Sequence, residues 1–352
     1  MSKPQEIIDL ENLFCFQIEK TKNSNDINDI YLGETNFYLL NEIGEIIGLK
    51  LKGEPSETPF LVNDFSFLAD FKKLTILNLT SNIIPDYSFL KELPNLTILN
   101  LNGSGNNLCN VSDFSFLKDL RNLTSLSLRW NCISNISFLK HLRNLTSLDL
   151  CGNKIGGIAV LQNLINLKNL YLTTNKISNI SMLENSPNLT NLCLGNNNIS
   201  DISVFRYLPN LRELDLWHNK ISDISFLQHL PNLVKFNVGW NKKISDYSIF
   251  ENTPQILSLG LCMNKISDIS FLNYLPNLRE LDLMGNKISD ISILKNFLYL
   301  TKLNLFSNYR LSDASVLRDL VNLTTLNLSI TQVSDWSFLE NLPNLTNLKR
   351  DY

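Results

Sequence analysis

The chain has 352 residues, of which 44% are hydrophobic and 18% are charged, and its formal net charge is −3. This near-neutral balance, without a run of Lys and Arg, argues against a nucleic-acid or membrane-surface protein, because such proteins present a basic face. No stretch approaches the roughly 18 consecutive apolar residues that a membrane-spanning helix needs, so no membrane insertion is predicted.

The first 45 residues resemble no later segment and are predicted to form an N-terminal cap. Residues 4–14 have the apolar spacing of a short helix that begins with a proline. Residues 23–29 are polar and are predicted to form a loop. Residues 36–51 predict two strands of a β-hairpin, with a turn at Gly44, which permits a positive φ. A cap is required because the first coil of a repeat array must cover an open hydrophobic end.

From residue 46 to residue 352 the chain repeats a unit of about 22 residues. An irregular first coil, with an insertion near residues 54–59, precedes twelve full copies and one partial copy. The full copies begin at Leu74, Leu96, Leu123, Leu145, Leu167, Leu189, Leu211, Leu233, Ile256, Leu278, Leu300 and Leu323. Nine of these twelve copies have 22 residues. The copy from Leu96 is longer near residues 103–107, and the copies from Leu233 and Leu300 each have one extra residue.

Each copy has three physical parts. The pattern L-x-x-L-x-L alternates apolar and polar residues and predicts a short strand with its leucines inward, so that stacked copies form a parallel sheet. An asparagine follows, and a column of carboxamides can satisfy buried backbone groups from coil to coil. The third part, typified by ISDISFL, predicts a short helical turn that a proline often ends. The asparagines are Asn82, Asn131, Asn153, Asn175, Asn197, Asn219, Asn241, Asn264, Asn286 and Asn308.

The segment NKISDIS occurs at 219–225, 264–270 and 286–292, and NLRELDL occurs at 210–216 and 277–283. The unit L-x-x-L-x-L-x-x-N-x-I therefore resembles a leucine-rich repeat. Its 22-residue form is similar to the subclass of bacterial internalins and of a leucine-rich repeat regulatory subunit of type-1 protein phosphatase. The resemblance implies an α/β repeat solenoid, a right-handed horseshoe with a concave parallel β-sheet and short helical or 3-10 turns on the convex side. It also implies that the concave face grips another protein, often through aromatic residues.

Outward positions on the strands are the third, fifth, seventh and eighth of each copy. Early copies fill these positions with small polar residues, whereas later copies place large apolar and acidic residues there. Because the leucines already fill the core, the large residues are predicted to bind a partner. The predicted partner-binding residues are Arg129, Trp130, Tyr171, Glu213, Asp215, Trp217, His218, Trp240, Met263, Glu280, Asp282, Met284 and Phe306.

Two alternatives stay open at these positions. Neighbouring rings can stack on one another along the sheet and bind nothing. The acidic residues can form a solvated ladder that Arg212, Arg279 and Lys235 neutralise. No complete set of metal ligands, phosphate-binding loop or catalytic triad motif occurs, so the chain is predicted to need neither metal nor cofactor and not to be an enzyme.

The sequence therefore predicts non-catalytic protein–protein recognition through the concave face, with an unidentified protein as partner. Three alternatives remain: a regulatory or targeting subunit of an intracellular enzyme, a structural module that self-associates through its terminal repeats, and a carbohydrate-binding surface on the tryptophans.

Cellular location is predicted from the N-terminus and the cysteines. Acidic residues interrupt the apolar residues at the start of the chain, unlike a signal peptide. The six cysteines lack a paired spacing such as CxxC, which favours free thiols in a reducing compartment. Cys109 and Cys132 lie at comparable places in adjacent coils, and whether they pair stays open. We expect a cytoplasmic protein, with secretion by a route that uses no signal peptide as the alternative.

Overall fold

The computed structural model describes residues 3–14, 17–28, 35–52, 64–103 and 114–350, and the chain forms two compact units, residues 1–176 and 177–352. The predicted insertion near residues 54–59, most of the segment 103–107, and Cys109 lie outside the described residues. The predicted boundary between residues 45 and 46 falls within the first unit and stays a prediction.

The N-terminal elements of the first unit are helix α1 (Gln5–Phe14), strand β1 (Ile18–Thr21), helix α2 (Ser24–Asn28), and strands β2 (Asn36–Leu40) and β3 (Ile46–Lys50). The predicted helix and hairpin are confirmed: β2 and β3 are antiparallel, and the turn between them places Gly44 at φ 90°. The predicted loop at 23–29 is wrong, because α2 occupies most of it. The side chain of Asn23 starts this helix by accepting the N–H of Asn25 at 2.9 Å.

Repeated coils build the rest of the first unit. Each coil contributes a three-residue strand, and each strand from β3 to β7 pairs in parallel with the next. These strands are β4 (Ile76–Asn78), β5 (Ile98–Asn100), β6 (Ser125–Ser127), β7 (Ser147–Asp149) and β8 (Asn169–Tyr171). The 3-10 helices of this unit are Ser66–Asp70, Ser88–Glu92, Ser115–Asp119, Ser137–His141 and Ala159–Asn163.

The second unit contains only repeated coils, and its strands are all parallel with directly opposed registers. Its strands are β9 (Asn191–Cys193), β10 (Glu213–Asp215), β11 (Lys235–Asn237), β12 (Ser258–Gly260), β13 (Glu280–Asp282), β14 (Lys302–Asn304), β15 (Thr325–Asn327) and β16 (Asn347–Lys349). Its 3-10 helices are Ser181–Asn185, Ser203–Tyr207, Ser225–His229, Ser248–Asn252, Ser270–Tyr274, Ser292–Asn296, Ser315–Asp319 and Ser337–Asn341.

The core of each unit lies between its strands and its 3-10 helices. In the coil that contains β10, Leu211, Leu214, Leu216, Ile221 and Leu227 are all buried. The strand thus buries one side chain and presents its neighbours outward, as the alternating pattern predicts. The predicted leucine-rich repeat solenoid is confirmed within each unit. In the described part of the chain, no helix has the length and apolar character needed to cross a bilayer.

The predicted asparagine column exists, and we call the ten residues listed above the asparagine ladder. Nδ2 of Asn286 donates to the carbonyl oxygens of Leu261 and Leu283, at 3.0 and 2.9 Å. Its Oδ1 accepts the N–H groups of Asn264 and Ile266, at 3.1 and 2.9 Å. One buried carboxamide therefore satisfies backbone groups of its own coil and of the preceding coil, since it carries donors and an acceptor.

The cysteines depart in part from the predicted free thiols. Cys132 is disulfide-bonded, and Cys109, with which the sequence aligns it, lies outside the described residues. Cys151 and Cys262 are buried and are not disulfide-bonded.

Candidate functional site

We call the outward third, fifth, seventh and eighth positions of the copies the strand face. At the last of these positions the backbone has an unusual conformation. The eighth residue marks the point where the chain leaves the sheet, and its φ is positive in nearly every described copy. The residues in this conformation are Ser81, Trp130, Gly152, Thr174, Asn196, His218, Trp240, Met263, Gly285, Ser307 and Ile330, with φ between 52° and 70°.

This conformation favours glycine and asparagine, because a Cβ atom is crowded in the left-handed region. Gly152, Gly285 and Asn196 show that such residues suit the coil. Larger side chains cost on the order of 1–2 kcal/mol there, and a β-branched residue such as Ile330 is a marked outlier. Nothing in the coil requires this cost, so large residues at the eighth position are candidates for a role outside the fold.

Three rings meet in the second unit and form what we call the aromatic cluster, Trp217, His218 and Trp240. The ring centroids of Trp217 and Trp240 are 6.4 Å apart, and His218 lies 5.2 Å from Trp217 and 5.3 Å from Trp240. Nδ1 of His218 is 2.7 Å from Oδ1 of Asn196, which orients the imidazole. His218 is exposed and both tryptophans are half-buried, so the cluster presents aromatic surface to solvent.

Glycines in the following coil leave room for the large side chains to lie flat against the strand face. A Cβ atom at Gly239 would stand 3.1 Å from Cδ1 of Trp217 and 2.4 Å from Sγ of Cys262. In the first unit, a Cβ atom at Gly152 would stand 2.3 Å from the ring of Trp130. Trp130 nevertheless remains 45% exposed. Trp130 and Trp217 thus lie against glycine backbone of the following coil, and each keeps part of its surface exposed to solvent.

Further apolar side chains extend the strand face beyond the aromatic cluster. Met263 lies over Gly285, where a Cβ atom would meet its sulfur at 2.1 Å. Met284 and Phe306 occupy the seventh positions of the next two coils and are half-buried. Ile330 is 48% exposed despite its left-handed backbone.

The acidic residues at the fifth position have a structural role that the sequence did not reveal. Oδ1 of Asp215 accepts the N–H of Trp217 at 3.0 Å, and Oδ1 of Asp282 accepts the N–H of Met284 at 3.0 Å. Asparagine makes the same bond in other coils. Those asparagines are Asn78, Asn100, Asn237, Asn304 and Asn327. A carboxylate is therefore not required to hold this turn.

The charge of these aspartates is disfavoured by their surroundings. Burial raises the pKa of Asp149, Asp215 and Asp282 above its ordinary value, and the backbone hydrogen bond to each carboxylate opposes that rise. Folding consequently favours the protonated acid, and the ionised form lowers the stability of the native state at neutral pH.

Replacing Asp215 with asparagine is expected to stabilise the fold at pH 7, by roughly 1 kcal/mol or less. Asparagine keeps the bond to Trp217 and removes a charge whose folded pKa is raised. The gain should shrink as the pH falls through the folded pKa and vanish below the unfolded value near 3.8, where the wild-type carboxyl is neutral in both states. Urea unfolding of the wild-type and Asp215→Asn proteins between pH 3 and 7 measures this gain in stability. A gain that grows on acidification would contradict the assignment.

The strand face of the second unit also contains a hollow, which both polar and apolar residues line. It has a volume of about 400 Å³ and lies across β11 to β16. Two small residues, Ser258 and Gly260, are among those that line it. Nζ of Lys302 is 2.6 Å from Oε1 of Glu280, and Ser258 donates to Oε2 of Glu280 at 3.0 Å. The hydrogen bond from Lys302 lowers the pKa of Glu280 and keeps it ionised.

Two thiols of the strand face, those of Cys151 and Cys262, are poor nucleophiles. Burial raises the pKa of both Cys151 and Cys262 to about 12, so each remains protonated at neutral pH. Within the described ranges, no group of three or more His, Cys, Asp or Glu side chains is arranged to hold a metal ion. What the strand face offers chemically is a surface of rings, thioethers, amides and a few charges.

The predicted site residues fall into separate groups. Three of them belong to the first unit: Arg129, Trp130 and Tyr171. The other ten belong to the second unit: Glu213, Asp215, Trp217, His218, Trp240, Met263, Glu280, Asp282, Met284 and Phe306. The partner-binding role of all thirteen stays a prediction. The rings do contact one another, and Glu280 pairs with Lys302, but neither contact tests whether the strand face binds a partner. Arg212 and Arg279, however, form no ion pair among the described residues.

Several residues of the strand face were not among the predicted partner-binding residues. Ile330 lies in the same row as Trp240 and could have been found from its eighth position in a copy. Lys235, Lys302, Ser258 and Gly260 line the hollow. Two consecutive small residues at outward positions of one strand, Ser258 and Gly260, were the available signal for that hollow.

Models of leucine-rich repeats match the chain at residues 119–136, 143–185, 187–229, 209–252 and 254–296. A comparison with curated proteins returns no match.

Among solved structures, the chain is similar to an internalin (inlF) from Listeria monocytogenes, with 31% identity, a TM-score of 0.71, and coverage of 87% of this chain and 90% of that chain. It is also similar to internalin C2 (inlC2) of the same organism, with 32% identity, a TM-score of 0.51, and coverage of 56% of this chain and 83% of that chain. The plant peptide hormone receptor RGFR1 in complex with RGF2 shares the fold, with 18% identity, a TM-score of 0.52, and coverage of 87% and 66%.

Proposed function

The chain belongs to the internalin-like branch of the leucine-rich repeat family, and from that premise we propose that it binds another protein, without catalysis, through the strand face of its second unit. Leucine-rich repeats are typically recognition modules, which supports a protein partner in general. The proposal adds the location of the binding surface, which consists of the aromatic cluster and the apolar residues that follow it, Met263, Met284, Phe306 and Ile330.

One observation carries the proposal. Trp240, Met263 and Ile330 occupy a left-handed backbone position at which other coils place glycine or asparagine. Each side chain costs the fold stability, and each keeps apolar surface in contact with water. Selection retains such residues where they contribute to binding, because buried Trp and Met side chains supply much of the free energy of protein interfaces. The glycines beneath Trp217 and Met263 help, since side chains held against backbone lose less entropy on binding.

The test is affinity capture with a variant that removes the aromatic surface and preserves the backbone. We expect Trp217→Ala combined with Trp240→Gly to lose the captured partner, with a decrease in affinity of about 100-fold once the partner is purified. Glycine suits the φ of residue 240, so the variant should remain folded, which circular dichroism checks.

The matched control is Gln228→Ala with His229→Ala. Both residues lie on the 3-10 helix Ser225–His229, in the same coil as Trp217. This control should retain the partner at wild-type affinity. Capture that is equal for both variants, or lost only in the control, would place the interface away from the strand face.

A second candidate is carbohydrate binding, which the polar side chains in the hollow favour. Sugar-binding sites combine a ring face with polar groups that orient ligand atoms, and the hollow offers Ser258, Glu280, Asp282 and Asn304 on the same strand face as the aromatic cluster. Saturable binding on a glycan array, lost on Trp240→Gly, would favour this candidate over a protein partner.

A further inference from the structure

Positive charge is concentrated along one margin of the second unit. The tenth position of a copy follows the ladder asparagine, and in five consecutive coils that residue, or the extra residue beside it, is basic. We call these six residues the basic row: Lys220, Lys242, Lys243, Lys265, Lys287 and Arg310. All six side chains are exposed. The whole chain has a net charge of −3, so the basic row is a local departure from its composition.

Backbone hydrogen bonds between coils keep the basic row in line. The N–H of Lys220 donates to the carbonyl of Ile199 at 2.9 Å, and the N–H of Lys287 donates to that of Ile266 at 2.7 Å. These tenth residues are therefore aligned with the preceding coils, and successive strands of a sheet lie about 4.8 Å apart. The basic row consequently runs from coil to coil beside the eighth positions of the strand face.

The charges of the basic row are not neutralised within the described part of the chain, where none of its members forms an ion pair. The eighth and ninth positions of the same coils contain no acid. The acids that follow, at the thirteenth position, are engaged by the 3-10 helices. Oδ1 of Asp223 and Oδ1 of Asp290 each accept a serine N–H at 2.8 Å. Adjacent like charges repel one another, and an anionic partner relieves that repulsion.

The fold does not require a cation at the tenth position. Ile83, Cys132, Asn198 and Gln332 occupy it in other coils. The backbone bond between coils persists without lysine, since the N–H of Asn198 donates to the carbonyl of Ile177 at 2.8 Å. The two coils of the second unit that have an extra residue at this point still place a basic side chain there. The basic residues are thus available for a role outside the fold.

Apolar surface borders the basic row and narrows the class of partner. Nζ of Lys242 lies 4.9 Å from the ring centroid of Trp240, and Cζ of Arg310 lies 5.7 Å from that of Tyr309. Tyr309 is 48% exposed, and Trp240 belongs to the aromatic cluster. A phosphate or sulfate polymer presents charge along its whole length, whereas a protein segment can place carboxylates beside apolar side chains. The second arrangement matches a row of cations next to rings.

We propose that the basic row binds an acidic segment of the protein partner, in which carboxylates lie beside apolar side chains. The carboxylates pair with the exposed ammonium and guanidinium groups, while the apolar side chains cover Trp240 and Met263. This inference rests on the proposed function and adds to it the charge of the partner and the margin along which the partner lies.

The test is selection of a phage-displayed random peptide library on the wild-type chain, followed by calorimetry with the selected peptides. Peptides that need the aromatic cluster are those that lose binding to Trp217→Ala with Trp240→Gly, and we expect them to be enriched in Asp and Glu. Lys265→Glu combined with Lys287→Glu should weaken their binding about tenfold, because two attractive contacts become repulsive. A peptide whose acids are replaced by lysine should prefer this variant to wild type.

The matched control reverses two exposed lysines at the same position of the first unit, Lys154→Glu with Lys176→Glu, and so changes the net charge equally. This control should bind the selected peptides as tightly as wild type does. All four lysines are exposed, so both variants should remain folded, which circular dichroism checks.

Selected peptides without enrichment in acids, or equal losses of affinity for the two pairs of lysines, would overturn the inference. Peptides that depend on the two tryptophans and bind equally to wild type and to Lys265→Glu with Lys287→Glu would remove the role of the basic row alone and leave the proposed function standing. A selection that returns no peptide sensitive to Trp217→Ala with Trp240→Gly would overturn both.

Discussion

Asn286→Ala is expected to destabilise the second unit by about 3–5 kcal/mol, more than any change on the strand face. The asparagine is almost fully buried, and its carboxamide bonds the carbonyls of Leu261 and Leu283 and the N–H groups of Asn264 and Ile266. Alanine leaves three of these backbone groups without a partner inside the protein, because the carbonyl of Leu283 still accepts from Nδ2 of Asn308 at 3.0 Å. Each buried unpaired group costs roughly 1–3 kcal/mol. Urea unfolding followed by far-ultraviolet circular dichroism measures the loss.

Two controls separate the asparagine ladder from the general effect of losing a side chain. Asn232 is exposed, and its Nδ2 donates to the carbonyl of Pro209 at 3.1 Å, so Asn232→Ala should cost less than about 1 kcal/mol. Asn286→Thr should lie between the two, because the hydroxyl of Thr331 makes one such bond, to the carbonyl of Leu328 at 2.7 Å, in the last full copy. Equal losses for Asn286→Ala and Asn232→Ala would refute the role assigned to the ladder.

Phe236→Ala should also destabilise the second unit strongly, by about 3–5 kcal/mol. Phe236 is the inward residue of β11 and is fully buried. Its ring meets Phe226 edge to face at 6.2 Å, and Phe226 in turn lies 4.6 Å from Phe205. Alanine opens a cavity in this column of rings that the rigid strand above cannot fill.

Leucine is the matched substitution at residue 236, because it occupies the equivalent position in most other strands. Phe236→Leu should cost only about 1 kcal/mol, since the smaller side chain still fills most of the space. Thermal unfolding of the three proteins compares these costs. If leucine proved as damaging as alanine, the specific packing against Phe226 would matter more than buried volume.

Most of the fold follows from spacing in the sequence. A strand three residues long is recognisable here because Leu214 and its counterparts recur at a fixed period, and stacking multiplies a weak local signal. The asparagine ladder was predictable for a related reason: Asn286 recurs where a turn must be buried, and its carboxamide has the required donors and acceptor. Helix α2 was missed because Asn23 caps a segment that has little apolar periodicity.

The site was less predictable, because its features depend on contacts between coils. Asp215 and Trp217 were recognisable as unusual, yet the bond from the backbone of one to the carboxylate of the other was not. The fit of Trp217 over Gly239 requires the lateral alignment of two strands, which the sequence of either coil does not contain. The positive φ of Trp240 likewise comes from the path of the coil and not from a local preference of tryptophan.

That imposed backbone has a consequence for how such a protein can change. Since the coil sets the conformation of its eighth residue, that residue can be replaced without redirecting the chain, as Gly285, His218 and Ile330 already illustrate. The eighth positions thus form a row in which side chains can be exchanged while the backbone path of the coils stays the same. Randomising them together would yield a library of binders, and single mutations there give evolution a route to new partners in small steps.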